Sequence, residues 1–221
     1  MPPEIVDLFT ELAAVPSPPG EERAVADLVT RYLRDCGLPV DEDDAGPRIG
    51  STMGNVYSRL EPTRQGEPLL FCAHLDTVPP TAAVEPVVDD GVVRNAAGTI
   101  LGADNKATVA VILHAVRRLL TEGLPHAGVE LVFTPKEEVG LVGAYAFDYR
   151  RLRARTGYVY DQAAPIGTVI LGAPYSQSLE VTFHGRAAHS GMHPEDGRSA
   201  IVAAALDRAR SRRYVAAPTE T

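Results

Sequence analysis

Three short stretches that read as buried-type strands, the continuous apolar run Leu69 to Ala73 and the segments Val129 to Thr134 and Gly157 to Tyr160, constrain this chain more than any other feature. Runs of this kind suit strands buried on both faces, which read as near-continuous hydrophobic stretches rather than alternating ones. Stretches with apolar residues at helical spacing lie around them. Ile5, Leu8, Phe9, Leu12 and Ala13 form the first, and Ala24, Val25, Leu28, Val29, Tyr32 and Leu33 the second. A third runs from Lys106 to Leu120. The proline-rich segment Val15 to Gly20 ends the first helix, while Gly37 and Gly123 are placed to end the other two. Asn55 to Leu60 reads as a further strand and Val84 to Asn95 as a small extended excursion. Buried strands separated by helices predict an α/β sheet with helices on both faces.

The pattern changes after about Leu171. Ser178 to His184 alternates like a strand with one exposed face, and Arg198 to Arg213 is helical and rich in alanine. A polar loop carrying His189 and His193 lies between them, and Tyr214 to Thr221 holds no recognisable element. The expected division is therefore a first domain over 1–175 and the beginning of a second over 176–221.

Charge and cysteine usage exclude several function classes. The net charge of −8 gives no electrostatic support for binding nucleic acid or an anionic membrane. Cys36 and Cys72 lie far apart and form no metal-type or redox-type pair. Glu4 and Asp7 stand where a secretory signal would be basic and then apolar, and no apolar run approaches the roughly 18 residues that span a bilayer. A cytoplasmic protein is expected.

Four polar clusters follow strands or open a helix, the edge at which open α/β sheets bind ligands. The first is His74-Leu75-Asp76, directly after Ala73. Residues two apart in extended backbone point to one side, so His74 can bind a metal while Asp76 bonds the other ring nitrogen. The second is Gly102-Ala103-Asp104-Asn105-Lys106, where Asp104 is either a helix N-cap or a carboxylate bridging two cations. The third is Glu137-Glu138, whose adjacent charges repel unless compensated, an arrangement suited to one ligand and one general base. The fourth is Asp161, after the run ending at Tyr160. One imidazole with several carboxylates suits zinc, manganese or cobalt.

The stretches HLDTVP (74–79), GADNKA (102–107) and EEVGLVGA (137–144), with Asp161, resemble the co-catalytic zinc peptidases. That family includes peptidase T, glutamate carboxypeptidase and acetylornithine deacetylase. The wording TILGADNKA, FTPKEEVGLVGA and DQAAPIGTVILGAP is most similar to the peptidase T-like tripeptidase branch. The resemblance implies a mixed sheet of zinc-exopeptidase type and two zinc ions per subunit. It implies His74 and Asp161 on one metal, Glu138 on the other and Asp104 bridging. Asp76 would orient His74, and Glu137 would be the general base for a water activated between the metals.

GRAAHSG (185–191) resembles the start of the family's small α+β lid and dimerisation domain. In a homodimer formed through that lid, His189 would steady the developing oxyanion in the partner's site. The implied reaction is hydrolysis of amide bonds in short peptides, as by a tripeptide aminopeptidase. A deacylase of N-acyl amino acids shares the same metal machinery. Family members continue beyond this point and supply a final metal-binding His. The chain is therefore expected to be C-terminally truncated, with an incomplete catalytic domain and a partial lid, and an inactive fragment is the alternative reading.

Overall fold

The computed structural model of the chain describes residues 3–80, 82–172 and 180–211. It comprises two compact units, Met1–Ala164 and Pro165–Thr221. The first begins with helices α1 (Pro3–Ala14) and α2 (Arg23–Asp35), strand β1 (Val40–Glu42) and the short α3 (Ala45–Ile49). Strands β2 (Val56–Leu60) and β3 (Leu69–His74) follow, then the hairpin β4 (Pro86–Asp89) and β5 (Val92–Asn95). The unit is completed by α4 (Ala103–Thr121), β6 (Val129–Thr134), α5 (Val142–Ala146) and β7 (Thr156–Val159).

Five strands form a mixed sheet in the order β1-β2-β6-β3-β7, and β4 and β5 pair separately. β1 and β2 run antiparallel to their neighbours, whereas β6, β3 and β7 are mutually parallel. In register, Ala73 lies opposite Phe133 and His74 opposite Thr134, while Cys72 lies opposite Val159. The three parallel strands therefore end together, and the segments that follow them emerge at one edge.

The two faces of the sheet are covered unequally. Leu12 of α1, Leu33 of α2 and Leu113 of α4 are fully buried against Val56, Leu60, Ala73, Leu131 and Phe133 of the strands. The other face carries a smaller cluster of Tyr57, Val132 and Phe147 with Leu70, Cys72 and Leu152. β6 is buried at every position because it is central and covered on both sides. β7 is different. Gly157 to Tyr160 reads in sequence as a buried strand, yet Tyr158, Val159 and Tyr160 are exposed. β7 pairs only with β3, so it forms an edge of the sheet among the described residues. Its order comes partly from the stacking of Tyr158 and Tyr160 on Phe71 and on each other.

Glu130 points to the smaller cluster and is fully buried. Its carboxylate accepts from the Tyr57 hydroxyl at 2.6 Å and from the backbone N–H groups of Arg153 and Ala154 at 2.9 and 2.7 Å. Burial first, then this carboxylate, pushes the Tyr57 phenol up to about 12. Glu130 thereby ties the central strand to the turn that launches β7. Removing a charged acceptor leaves the buried Tyr57 hydroxyl and two part-buried N–H groups unmet, at about 1–3 kcal/mol for a buried unsatisfied group and less where water can reach. Glu130→Ala is expected to lower stability by about 3 kcal/mol or more, measured as a shift in urea midpoint. A change under about 1 kcal/mol would show that water replaces the carboxylate.

In the second unit, α6 (Ala200–Ser211) forms within the stretch expected to be helical, and residues 212–213 lie outside the described residues. The Ser199 hydroxyl accepts the Val202 N–H at its start. The strand expected over Ser178 to His184 is not found at 180–184, and residues 178–179 lie outside the described residues. The only strand-type pairing described in this unit is the bridge between Arg186 and Arg198. Too little backbone pairs there to sustain a ladder. No described helix of either unit is long and apolar enough to cross a membrane.

Candidate active site

The shared edge of the parallel strands gathers an unusual amount of charge. His74 is the last residue of β3 and is buried. Its Nδ1 lies 2.8 Å from the backbone oxygen of Asp76, and since a carbonyl only accepts, Nδ1 carries the proton. Nε2 then faces Asp104 at 3.2 Å and Glu137 and Asp161 each at 3.8 Å.

Asp76 does something the sequence reading did not foresee. Its carboxylate is 3.5 Å from Nδ1, beyond the carbonyl contact, and it accepts the backbone N–H groups of Glu137 and Glu138 at 2.9 and 3.0 Å. Orientation of His74 thus falls mainly to the Asp76 backbone, while the Asp76 side chain holds the acidic loop after β6. Burial opposes its charge, but His74 and these two N–H groups outweigh burial and lower its pKa.

Asp104 lies in the first turn of α4, which follows Gly102, a glycine at φ 72° where a side chain would be strained. The backbone of Asp104 itself is not helical (φ −83°, ψ 109°), and its carboxylate faces the His74 ring rather than an N–H of the helix. The loop carrying Asp161 is tied to α4 by the Thr108 hydroxyl, which donates to the Tyr160 carbonyl at 2.6 Å.

Two groups of possible ligand atoms result, each with all its atoms within 4.8 Å of one another. They are His74, Asp104 and Glu138, and His74, Glu137 and Asp161. The structure therefore brings His74, Asp76, Asp104, Glu137, Glu138 and Asp161 together, with Glu138 and Asp161 in separate groups. His189 belongs to the second unit. It is exposed, and its Nδ1 accepts the Gly191 N–H at 3.1 Å.

So many carboxylates at such range disfavour their own ionisation. Burial raises the pKa of Glu137, Glu138 and Asp161, and their mutual repulsion adds to it against the opposing pull of His74. For His74 burial acts downward, but Asp76, Asp161 and Glu137 prevail and hold it at about 9. An imidazolium surrounded by carboxylates occupies the role that a cation would otherwise fill. The donor set, one imidazole nitrogen and hard oxygens, fits a divalent metal of the zinc, manganese or cobalt type. A cavity of about 400 Å³ adjoins it, lined by Asp104, Asn105, Thr108, Tyr160, Asp161 and Gln162. That volume is within the range of small-molecule sites.

The His74 shift has a sign that can be measured. Its folded pKa is raised from 6.5 to about 9, so its contribution to stability is complete below 6.5 and is lost as pH rises towards 9. The urea midpoint of the metal-free chain is expected to fall across that window. Apparent affinity for a divalent cation is expected to rise across the same window, because binding must displace the proton on Nε2. Affinity independent of pH between 6.5 and 9 would contradict a raised His74.

Several residues that shape the site escaped the sequence reading. Buried Ser17 donates its hydroxyl to the Leu75 carbonyl at 2.7 Å, and its own carbonyl accepts the Thr77 N–H at 2.9 Å. Buried Lys106 donates its ammonium to the Val15 carbonyl, and burial lowers its pKa to about 8. Buried Glu22 reaches the Lys136 backbone. The available signal was periodicity: Glu22 lies three and four residues before Val25 and Ala26, on the apolar stripe of α2, and Lys106 lies likewise before Val109 and Ala110.

Comparison with known proteins identifies the family. The model of "Peptidase family M28" matches residues 55–185, more than half of the chain. An uncharacterised Bacillus subtilis protein, YqjE, is 36% identical over 200 residues, covering 90% of this chain and 54% of that protein. A tripeptidase from Staphylococcus aureus superposes with a TM-score of 0.82 at 32% identity, over 94% of this chain and 56% of that one. Aminopeptidase PepT from Bacillus cereus gives a TM-score of 0.76 at 33% identity, over 93% and 56% respectively. The chain thus spans about half the length of the proteins it matches. Because that family model covers more than half of the chain, the chain belongs to peptidase family M28, among the co-catalytic zinc peptidases that its sequence resembles.

Proposed function

We propose that this chain carries the metal centre of a two-zinc aminopeptidase that cleaves tripeptides or similarly short peptides. The observation that supports it most is the gathering of His74, Asp104, Glu138 and Asp161 at one sheet edge, with Glu138 and Asp161 in separate donor groups. His74 and Asp161 would hold one zinc and Glu138 the other, with Asp104 between them. Such a pair supplies Lewis acidity, which polarises a scissile carbonyl and makes water more acidic. That one solved relative is a tripeptidase and another an aminopeptidase supports the substrate class.

The residues of the chain divide the remaining work. The Asp76 carbonyl keeps the His74 proton on Nδ1, so the Nε2 lone pair faces the cation position. Asp76 fixes the backbone from which both glutamates extend. Glu137 takes a proton from the attacking water as its oxygen bonds to the carbonyl carbon. It returns that proton to the amine nitrogen as the C–N bond breaks. In the metal-free chain its pKa is raised by burial, with Asp161 and Glu138 adding to it against the pull of His74.

The same reading assigns residues 1–175 to the catalytic domain and 176–221 to a lid through which a homodimer forms. His189 would then act on the oxyanion in the partner's site. Free Cys36 and Cys72 support a reducing, cytoplasmic setting.

Metal analysis after dialysis against zinc tests the reading, with about two tightly held ions per chain expected. Release of the N-terminal residue from tripeptides should depend on those ions, and N-acyl amino acids should be poor substrates. A chain that retains no zinc would refute the reading, and preference for N-acyl amino acids would move it to the deacylase.

A further inference from the structure

The proline-rich segment after α1 does more than end a helix. Between Val15 and Glu22 it reaches three of the loops that carry the site. The Val15 carbonyl takes the Lys106 ammonium, two residues past Asp104. Ser17 braces Leu75 and Thr77 on either side of Asp76. Glu22 accepts the backbone N–H of Lys136 at 3.2 Å, immediately before Glu137 and Glu138.

The third contact is the most demanding. Glu22 is fully buried, and both oxygens of its carboxylate are engaged. One oxygen accepts from Gly20 N–H at 2.6 Å as well as from Lys136, and the other accepts the Ser51 hydroxyl at 2.7 Å. Lys136 needs this hold because its backbone is left-handed, at φ 57°, as is Leu141 at φ 59° on the far side of the acidic pair. A non-glycine residue in that region costs about 1 kcal/mol or more and stays there only when its surroundings impose it. The Lys136 ammonium adds a second anchor, donating to the carbonyls of Ile49 at 2.8 Å and Gly50 at 3.4 Å. Three consecutive N–H groups, Lys136, Glu137 and Glu138, are therefore received by two carboxylates, Glu22 and Asp76, from different parts of the chain.

We infer that Glu22 is a positioning residue for the acidic loop: it sets the backbone at Lys136 so that Glu137 and Glu138 project to their separate places. The functional consequence rests on the two-zinc reading, whereas the structural one does not. Two substitutions separate acceptor from charge. Glu22→Gln keeps an oxygen towards Gly20 and Lys136 and turns its NH₂ towards Ser51, whose hydroxyl can accept. Glu22→Ala removes the acceptor altogether.

Backbone amide exchange in the metal-free chain is the first measurement. In Glu22→Ala the amides of Lys136, Glu137 and Glu138 should exchange at least about tenfold faster, a local loss of about 1.4 kcal/mol. Those of β6 should be unchanged, and Glu22→Gln should resemble the parent. Unchanged exchange at 136–138, or equal acceleration in β6, would overturn the inference, the latter by showing a general loss of stability.

The second measurement is a titration with cobalt. In Glu22→Ala one of two binding steps, the one that depends on Glu138, should weaken about tenfold, within the usual effect of losing support behind a ligand. Equal weakening of both steps would overturn the positioning role. A parent chain that takes up no cobalt would instead refute the two-zinc reading and leave the exchange result to decide Glu22.

Discussion

Asp104→Ala is expected to abolish tight binding of the second cation and to weaken the first by more than about 100-fold. Loss of a mere supporting group behind a ligand already costs 10–100-fold, and Asp104 is proposed as a ligand shared by both ions. Its side chain is 68% exposed, so the substitution leaves no cavity and exposes no buried partner other than the His74 ring. Removing its charge also relieves Asp161 and Glu138, whose ionisation it opposes. The metal-free variant should therefore match the parent in urea midpoint to within about 0.5 kcal/mol, as surface substitutions do. Isothermal titration with zinc checks the binding and a urea melt the stability. Two ions bound with parental affinity would remove Asp104 from the centre. A single ion lost with the other unaffected would make it a ligand of one site only.

The parts of this molecule that were legible in sequence are those with a period. α1 and α2 announce themselves through Leu8, Leu12, Val25, Val29 and Leu33, all of which are buried on one face of the sheet. β6 was legible because a central strand covered on both faces is mostly apolar, and the motif residues because they follow strand ends where an open sheet binds ligands. β7 was misread for an instructive reason. An apolar run such as Tyr158-Val159-Tyr160 looks the same whether or not neighbouring chain covers it, and here it forms an edge.

The supporting residues were invisible for another reason. Ser17, Glu22 and Lys106 act on loops 58, 114 and 91 residues away, through backbone atoms that carry no sequence signature. What betrays them is only that Glu22 and Lys106 occupy positions on otherwise apolar helix faces. A buried charge costs several kcal/mol unless it is paired, so a charge on such a stripe predicts a partner without naming it. Asp76 shows the same limit at short range. Its proximity to His74 followed from the two-residue period of a strand, but its grip on Glu137 and Glu138 depended on β3 and β6 being parallel neighbours.

Glu137→Gln is expected to lower the rate of tripeptide hydrolysis by the zinc-loaded chain by about 10²–10⁴-fold, the usual worth of a general base. Shape is preserved, and the backbone N–H that Asp76 accepts is untouched. Asp161 and Glu138 repel the Glu137 charge, so replacing it with an amide relieves that repulsion and the metal-free protein should not be destabilised. Glu137 also lies within ligand range of His74 and Asp161, and this sets up a direct contest between two roles. A base can be neutralised while zinc affinity is kept within a few-fold. A ligand cannot, and its amide replacement would lose zinc together with activity. The pH profile separates them further. A carboxylate must be ionised to accept a proton, so the parental rate should fall as pH drops through the Glu137 pKa of the zinc-loaded chain. The residual rate of the variant should lack that acid limb. Undiminished hydrolysis in the variant would exclude Glu137 as the base. Retained zinc, lost rate and a vanished acid limb can come together only if the proton of the attacking water passes through this carboxylate.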